Sequence, residues 1–167
     1  MKLNNEAQSG LVFQRILAEA KGFDLEIFDQ DFKRPWGGFL RFTEDSLGKF
    51  FTAYWQGVDT GKKEGRRDPK VLVVAPAQRL SLQLHHRRSE LWRALDPVMV
   101  VHGPDINHLE ADILFPGDVI HIPCGHMHRL CGALDSWGRV AEIWEHTDPN
   151  NLSDESDIIR VQDDYAR

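Results

Sequence analysis

Two short stretches hold side chains of the types that bind ions or move protons. In Arg79-Leu-Ser-Leu-Gln-Leu-His85 polar residues alternate with leucines. Side chains on a strand point alternately to its two faces, so Arg79, Ser81, Gln83 and His85 share one face and Leu80, Leu82 and Leu84 the other. Turned into an interior, that polar row requires a ligand, a metal or water, because buried polar groups without partners are costly. Glu90 follows five residues after His85, and a tight turn brings its carboxylate beside the imidazole. The second stretch is Gly117-Asp-Val-Ile-His-Ile-Pro123-Cys-Gly125-His-Met-His128. Its two glycines and proline enforce turns before and after one strand and deliver His128, at the end of a loop, to a fixed place.

The elements that position these residues read as short strands. Runs rich in Val, Ile, Phe, Trp and Tyr, punctuated by Gly, Pro and Asp, predict strands at Gly38–Thr43, Phe50–Trp55, Lys70–Ala75, Leu80–His85 and Glu90–Ala94. Further runs predict strands at Pro97–His102, Ile106–Leu109, Val119–Ile122 and Arg139–Trp144. One helix is expected before them, over Glu6 to Lys21, with apolar positions at Leu11, Val12, Ile16, Leu17 and Ala20 and Gly22 as its stop. Many short strands and one helix point to an all-β sandwich or barrel. A long loop is expected at Gln56–Pro69, and residues Thr147–Asp157 form a polar segment leading into a terminal turn.

The totals narrow the function classes. With 167 residues, one domain is expected, and 41% hydrophobic with 28% charged residues is an ordinary globular composition. The net charge of -6, from 26 acidic and 20 basic residues, argues against nucleic acid as a partner. The basic cluster Lys62-Lys63-Glu64-Gly65-Arg66-Arg67 reads as a solvated loop. No signal-peptide run and no apolar stretch near membrane-spanning length is present, so a cytoplasmic protein with no membrane partner is expected. Cys124 and Cys131 fit that compartment as free thiols.

The motifs carry a resemblance. Gly117 through Pro123 and Gly125 to His128 matches the second cupin motif position for position. The first cupin motif is matched with departures, Ala77 standing for its leading Gly, Gln83 for its first His, His85 as the second His, and Glu90. A Gln with two His and one Glu resembles the phosphomannose isomerases. Arg34-Pro-Trp-Gly37, Gln78-Arg-Leu-Ser-Leu-Gln-Leu-His85, Glu90-Leu-Trp92, Ile122-Pro-Cys-Gly-His-Met-His-Arg129 and the ending Asp157-Ile-Ile-Arg-Val-Gln-Asp-Asp-Tyr-Ala-Arg167 are similar to the C-terminal isomerase domain of type II phosphomannose isomerase/mannose-1-phosphate guanylyltransferases. The likeness runs from about Arg34 to the end, interrupted around Phe50–Pro69. Leu91, where the family usually has His, and Arg87-Arg88 depart from it. No Gly-rich nucleotide loop occurs in these residues, and nucleotidyl transfer is not expected of them.

The resemblance implies a cupin, a double-stranded β-helix or jelly-roll barrel at residues 34–167, behind an N-terminal helical extension at 1–33. It implies one divalent metal ion held by Gln83, His85, Glu90 and His128, zinc first, with manganese, iron, cobalt or nickel as alternatives. The reaction implied is aldose–ketose isomerisation of a sugar phosphate such as mannose 6-phosphate. There the metal polarises the C1 and C2 oxygens while a base moves a proton through an enediol. Arg79 and Arg129 are the candidates for catalytic and phosphate contacts, with Ser81 as a further substrate contact. His126 is the candidate base, with His121 as an alternative, and a lysine base has to come from Lys49 or Lys70. Arg88 is expected in solvent. The rival readings are a non-catalytic sugar-binding cupin and a cupin dioxygenase. A homodimer is expected, its contact using the outward leucines at 80, 82 and 84 and the N-terminal helix.

Overall fold

A computed structural model describes residues 2–61 and 65–165. Lys62, Lys63 and Glu64 of the basic cluster therefore lie outside the described residues. The chain opens with helix α1 (Lys2–Gly22), followed by strands β1 (Ile27–Arg34) and β2 (Gly37–Phe42) and helix α2 (Leu47–Tyr54). The strands then run β3 (Arg67–Val74), β4 (Leu82–Leu84), β5 (Arg88–Ala94), β6 (Val98–Gly103), β7 (Glu110–Leu114), β8 (Val119–Ile122), β9 (Met127–Gly132), β10 (Gly138–His146) and β11 (Ile159–Gln162). They form two antiparallel sheets, ordered β1-β2-β3-β10-β5-β8 and β11-β4-β9-β6-β7. No helix is long and apolar enough to cross a membrane among the described residues.

The two faces of the six-stranded sheet explain why its strands read as nearly continuous apolar runs. Val71 and Val73 of β3, Leu91 of β5 and Ala141 and Ile143 of β10 face outward and are buried beneath the helices with Phe13, Ile16 and Phe50. Their neighbours Leu72, Val74, Trp92, Ala94 and Val140 face inward and pack against Val98, Val100 and Leu130 of the second sheet. Strands covered on both faces lose the alternation of polar and apolar residues that half-exposed strands keep.

Four expectations change. Phe50–Trp55 is not a strand: Leu47, Phe50, Phe51 and Tyr54 recur at helical spacing, and α2 packs Phe50, Phe51 and Tyr54 into the core on the sheet's outer face. Aromatic residues favour strands, and here tertiary packing overrides the propensity. Ile106–Leu109 lies in a turn, and the neighbouring strand is β7, an edge strand whose Ile113 is 67% exposed. His128 stands on a strand, β9, and not at the end of a loop. Finally, β1 pairs with β2, so the sheet takes in residues 27–33, ahead of the expected domain start at 34.

Register carries a further correction. Arg79 lies opposite Cys131, whereas Gln83 lies opposite His128, so one extra residue is accommodated between them. This irregularity, a β-bulge, breaks strict alternation. Leu80 joins the inner core and, with its neighbour Ser81, lines the interior cavity, while Arg79 turns outward. Of the leucines expected to face outward, Leu80 thus points in, Leu82 is buried and Leu84 half-buried.

Candidate metal centre

Three ligand-type side chains meet between the sheets. His85 follows β4, Glu90 lies on β5 and His128 on β9, and each is at most 2% exposed. His85 Nε2 is 3.3 Å from Glu90 Oε1, and His128 Nε2 is 3.3 Å from Glu90 Oε2. One potential ligand atom from each of the three lies within 4.8 Å of the others.

The imidazoles are oriented from behind. His128 Nδ1 lies 3.1 Å from the His126 carbonyl and His85 Nδ1 lies 3.4 Å from the Asp157 carbonyl. Donation from each Nδ1 makes Nε2 the acceptor nitrogen of each ring, beside Glu90 in both and within 2.9 Å of Arg88 Nη2 in His85, the arrangement by which outer contacts set ligand tautomers. His128 Nε2 is buried and has no hydrogen-bond partner among the described residues. An orphaned buried acceptor of this kind fits a metal ion.

Gln83 lies beside His85. Its Oε1 accepts from Ser81 Oγ at 2.9 Å, and its Nε2 is 3.4 Å from His85 Nε2. Exchanging the amide's two ends places oxygen beside His85, with Ser81 Oγ accepting from nitrogen, so the hydroxyl serves either orientation. Two imidazole nitrogens, a carboxylate and an amide oxygen suit zinc or another divalent ion, and they leave coordination positions for oxygen atoms of a substrate.

The electrostatics suit ligation. Burial, with a smaller push from Arg88 and His128, lowers the His85 imidazole to about 3, so it stays neutral at physiological pH. Burial raises the Glu90 carboxyl, but Arg88, His85 and His128 outweigh it and hold the group well below the usual carboxylate range. Arg88 is itself 2% exposed. Its Nε donates to Glu90 Oε1 at 2.7 Å, its Nη1 to Ser153 Oγ at 2.7 Å, and its Nη2 lies 2.9 Å from His85 Nε2. The guanidinium stacks 3.7 Å from the centroid of the Trp144 ring. The expectation that Arg88 sits in solvent is therefore corrected, because β5 begins at Arg88 and its inward parity matches that of Glu90 and Trp92.

The segment between β10 and β11 covers the turn ahead of β5. Asp157 accepts from the backbone N–H groups of His86 and Arg87, both at 3.0 Å, and from Ser153 Oγ at 2.6 Å. Arg87 donates to Asn151, Asp154 and Ser156. Through these contacts the segment brings Glu155 and Ile158 to the cavity wall.

The expected phosphate contacts move. Arg79 is ion-paired with Asp164 on the outer face. Arg129 alternates with His128, points to that same outer face and donates to the Gln162 carbonyl at 3.3 Å. Both line an outer groove with Leu82, Met99 and Val101, which His85, Glu90 and His128 do not line. His126 is half-buried in the turn before β9 and contributes its carbonyl to His128. His121 is exposed and lies opposite the outward Leu91, and Lys49 is ion-paired with Asp24 at the surface. Ser81 remains on the cavity wall.

The cations that do line the cavity are Arg34, Lys70, Arg88 and Arg160, opposed by Glu142 and Glu155. Lys70 and Glu142 were findable from parity, sharing the inward positions of Leu72 on β3 and Val140 on β10. Arg160 belongs to a strand no run of apolar residues announces, and it enters the site because it pairs with Gln83.

Over residues 25–163 the sequence matches the family model described as mannose-6-phosphate isomerase C-terminal. The chain belongs to this family. Among its relatives are the alginate biosynthesis protein AlgA of Pseudomonas aeruginosa, 33% identical over 114 residues, covering 68% of this chain and 22% of that protein. A mannose-1-phosphate guanylyltransferase of Escherichia coli is 29% identical over 115 residues, with the same coverage of 68% and 22%. The chain thus spans about a fifth of the length of these relatives.

Among solved structures, the capsular polysaccharide assembling protein CapF of Staphylococcus aureus matches with TM-score 0.56 and 15% identity, over 80% of this chain and 34% of that one. Vicilin of Solanum lycopersicum matches with TM-score 0.54 and 16% identity, over 77% and 34% of the two chains. At such identities the likeness concerns fold alone, and the fold is the cupin barrel with an N-terminal helix. Within the family frame, the departure at Leu91 falls on the helix-covered face, where the side chain packs in the outer core and does not touch the cavity.

Proposed function

We propose that this chain is a metal-dependent aldose–ketose isomerase acting on a sugar phosphate of the mannose 6-phosphate type. The observation that carries the reading is the convergence of His85, Glu90 and His128 on one point, with Gln83 beside them at the wall of a cavity that Arg34, Lys70, Arg88 and Arg160 also line. A zinc ion there supplies Lewis acidity toward the C1 and C2 oxygens of the sugar. Gln83, His85, Glu90 and His128 hold it, and the outer contacts from Asp157, His126 and Ser81 keep those ligands oriented.

Phosphate recognition falls to guanidinium groups, whose planar forks hold two oxygens at once. Arg160, whose buried Nε has no hydrogen-bond partner among the described residues, takes the place first expected of Arg79 and Arg129, with Arg34, ion-paired with Asp31, beside it on the cavity wall. Gln83 distinguishes the site from the two-histidine, one-carboxylate set of a dioxygenase. The purified chain, stripped with a chelator and reloaded in turn with zinc, manganese, cobalt, iron and nickel, is expected to interconvert mannose 6-phosphate and fructose 6-phosphate. Metal and ligand binding without turnover would instead make it a sugar-binding cupin.

A homodimer belongs to the same proposal. Met99, Ile113, Leu134 and Val161 are all at least 36% exposed and lie on or beside the five-stranded sheet, an apolar surface that a second copy would cover.

A further inference from the structure

The register of the six-stranded sheet sets Lys70, Glu142 and Trp92 in one row across β3, β10 and β5. The next inward row along the same strands is Asp68, Trp144 and Glu90. Lys70 is thus built into the wall next to the metal ligands. A hydrogen-bonded relay ties the two rows together. The Trp92 indole N–H donates to Glu90 Oε2 at 3.1 Å and to Glu142 Oε1 at 3.0 Å, and Glu142 Oε2 lies 3.4 Å from Lys70 Nζ.

Lys70 is held but not consumed. Its ammonium lies 5.1 Å from the Phe39 ring centroid and 4.8 Å from that of Trp144, positions that favour a cation while making no hydrogen bond. The Glu142 pair is long, and Glu142 Oε2 makes no hydrogen bond among the described residues. An ammonium has three N–H donors, and with one turned toward Glu142 the other two are left to the cavity. The other cations differ. Arg88 spends its guanidinium on Glu90, Ser153 and His85, and Arg34 is ion-paired with Asp31. Arg160 carries the fork suited to phosphate, whereas the compact charge of lysine suits a single oxygen.

We infer that Lys70 is a catalytic residue of this site, donating hydrogen bonds to the reacting oxygen of the sugar as negative charge develops on it, with Glu142, Phe39 and Trp144 as its positioning residues. The inference rests on the isomerase reading. When the C2 proton passes to a general base other than Lys70, its C–H electron pair becomes the C1–C2 double bond and the carbonyl π pair moves onto O1. Lys70 forms no covalent bond and gives up no proton. It acts on the charge that exists only on the way to the enediol, and such an interaction raises kcat without tightening substrate binding.

The test compares wild type, Lys70→Met and Lys70→Arg, each loaded with zinc. Turnover of mannose 6-phosphate is measured alongside binding of that sugar and of 5-phosphoarabinonohydroxamate, a planar mimic of the enediolate. Lys70→Met is expected to lower kcat about 100- to 1,000-fold. KM should stay within about threefold, bound zinc should be unchanged, and affinity for the hydroxamate should fall by a factor similar to that of kcat. Lys70→Arg should recover part of both losses. A rise in KM at constant kcat, or loss of bound zinc, would overturn the inference. If wild type turns over no sugar phosphate, the isomerase reading fails separately, and equal hydroxamate affinity in wild type and Lys70→Met, including no binding by either, then overturns the role of Lys70 as well.

Discussion

Gln83 on β4 lies directly opposite His128 on β9, and this one pairing places an amide and an imidazole at the same depth of the barrel. Four residues earlier the register is different, with Arg79 opposite Cys131 on the outer face. The irregularity between the two pairings lets a single short segment face outward with a cation and inward with a ligand. Ala77, just ahead of it, adopts a left-handed backbone with φ of 55°, at the position where the cupin motif has glycine.

That conformation leads to a stability prediction. An L-residue in the left-handed region is destabilised by roughly 1–2 kcal/mol relative to glycine, partly offset by the greater freedom glycine has in the unfolded chain. Ala77→Gly is therefore expected to stabilise the protein by about 0.5–1 kcal/mol, read as a higher urea midpoint at unchanged m-value. A lower midpoint would contradict the assignment.

Removing Arg88 tests the buried charges. Glu90 is fully enclosed and Arg88 is its cationic partner, so Arg88→Ala leaves a carboxylate without compensation. A broken buried pair costs about 3–5 kcal/mol. The loss should be largest in chelator-treated protein and smaller with zinc present, because the ion supplies positive charge to the same carboxylate. Equal losses in both conditions would count against a shared site.

The acid limb of stability follows from His85. Its folded-state pKa, depressed to about 3 by burial, lies below the value of 6.5 for a free imidazole. Above pH 6.5 neither state is protonated and the contribution is fully present. Between 6.5 and about 3 only the unfolded chain gains the proton, so stability declines as pH falls. In chelator-treated samples, urea midpoints should fall more steeply across this window for wild type than for His85→Gln. Parallel slopes would mean that the imidazole is not held neutral.

The exposed apolar surface predicts the oligomeric state. Light scattering at micromolar concentration should give the mass of a dimer, and Ile113→Asp with Leu134→Glu should give a monomer that still binds zinc. A wild-type monomer would remove the dimer from the account.

The legible and illegible parts of this molecule differ for physical reasons. Gln83, His85, Glu90 and His128 could be singled out because a polar residue at every second position, and a Gly-Pro-Gly frame, are local signals that survive in the text of the chain. Gly117 and Gly125 indeed adopt positive φ at the two turns flanking β8. The bulge near Ser81 left no such mark, so Arg79 was expected inside and Leu80 outside. Helix α2 hid behind aromatic residues that favour strands, and β11 behind its polarity. Arg88, Lys70, Glu142 and Arg160 enter the cavity through strand pairing between distant residues, and sequence spacing alone says little about which distant strands pair.

The central claim, that Gln83, His85, Glu90 and His128 hold one metal ion, is most directly tested by X-ray absorption on zinc-loaded protein. One zinc per chain is expected, coordinated only by nitrogen and oxygen at about 2.0–2.2 Å, with the scattering signature of two imidazoles that His128→Ala reduces to one. A sulfur neighbour at about 2.3 Å, which would implicate Cys124, or a spectrum unchanged by His128→Ala, would contradict it.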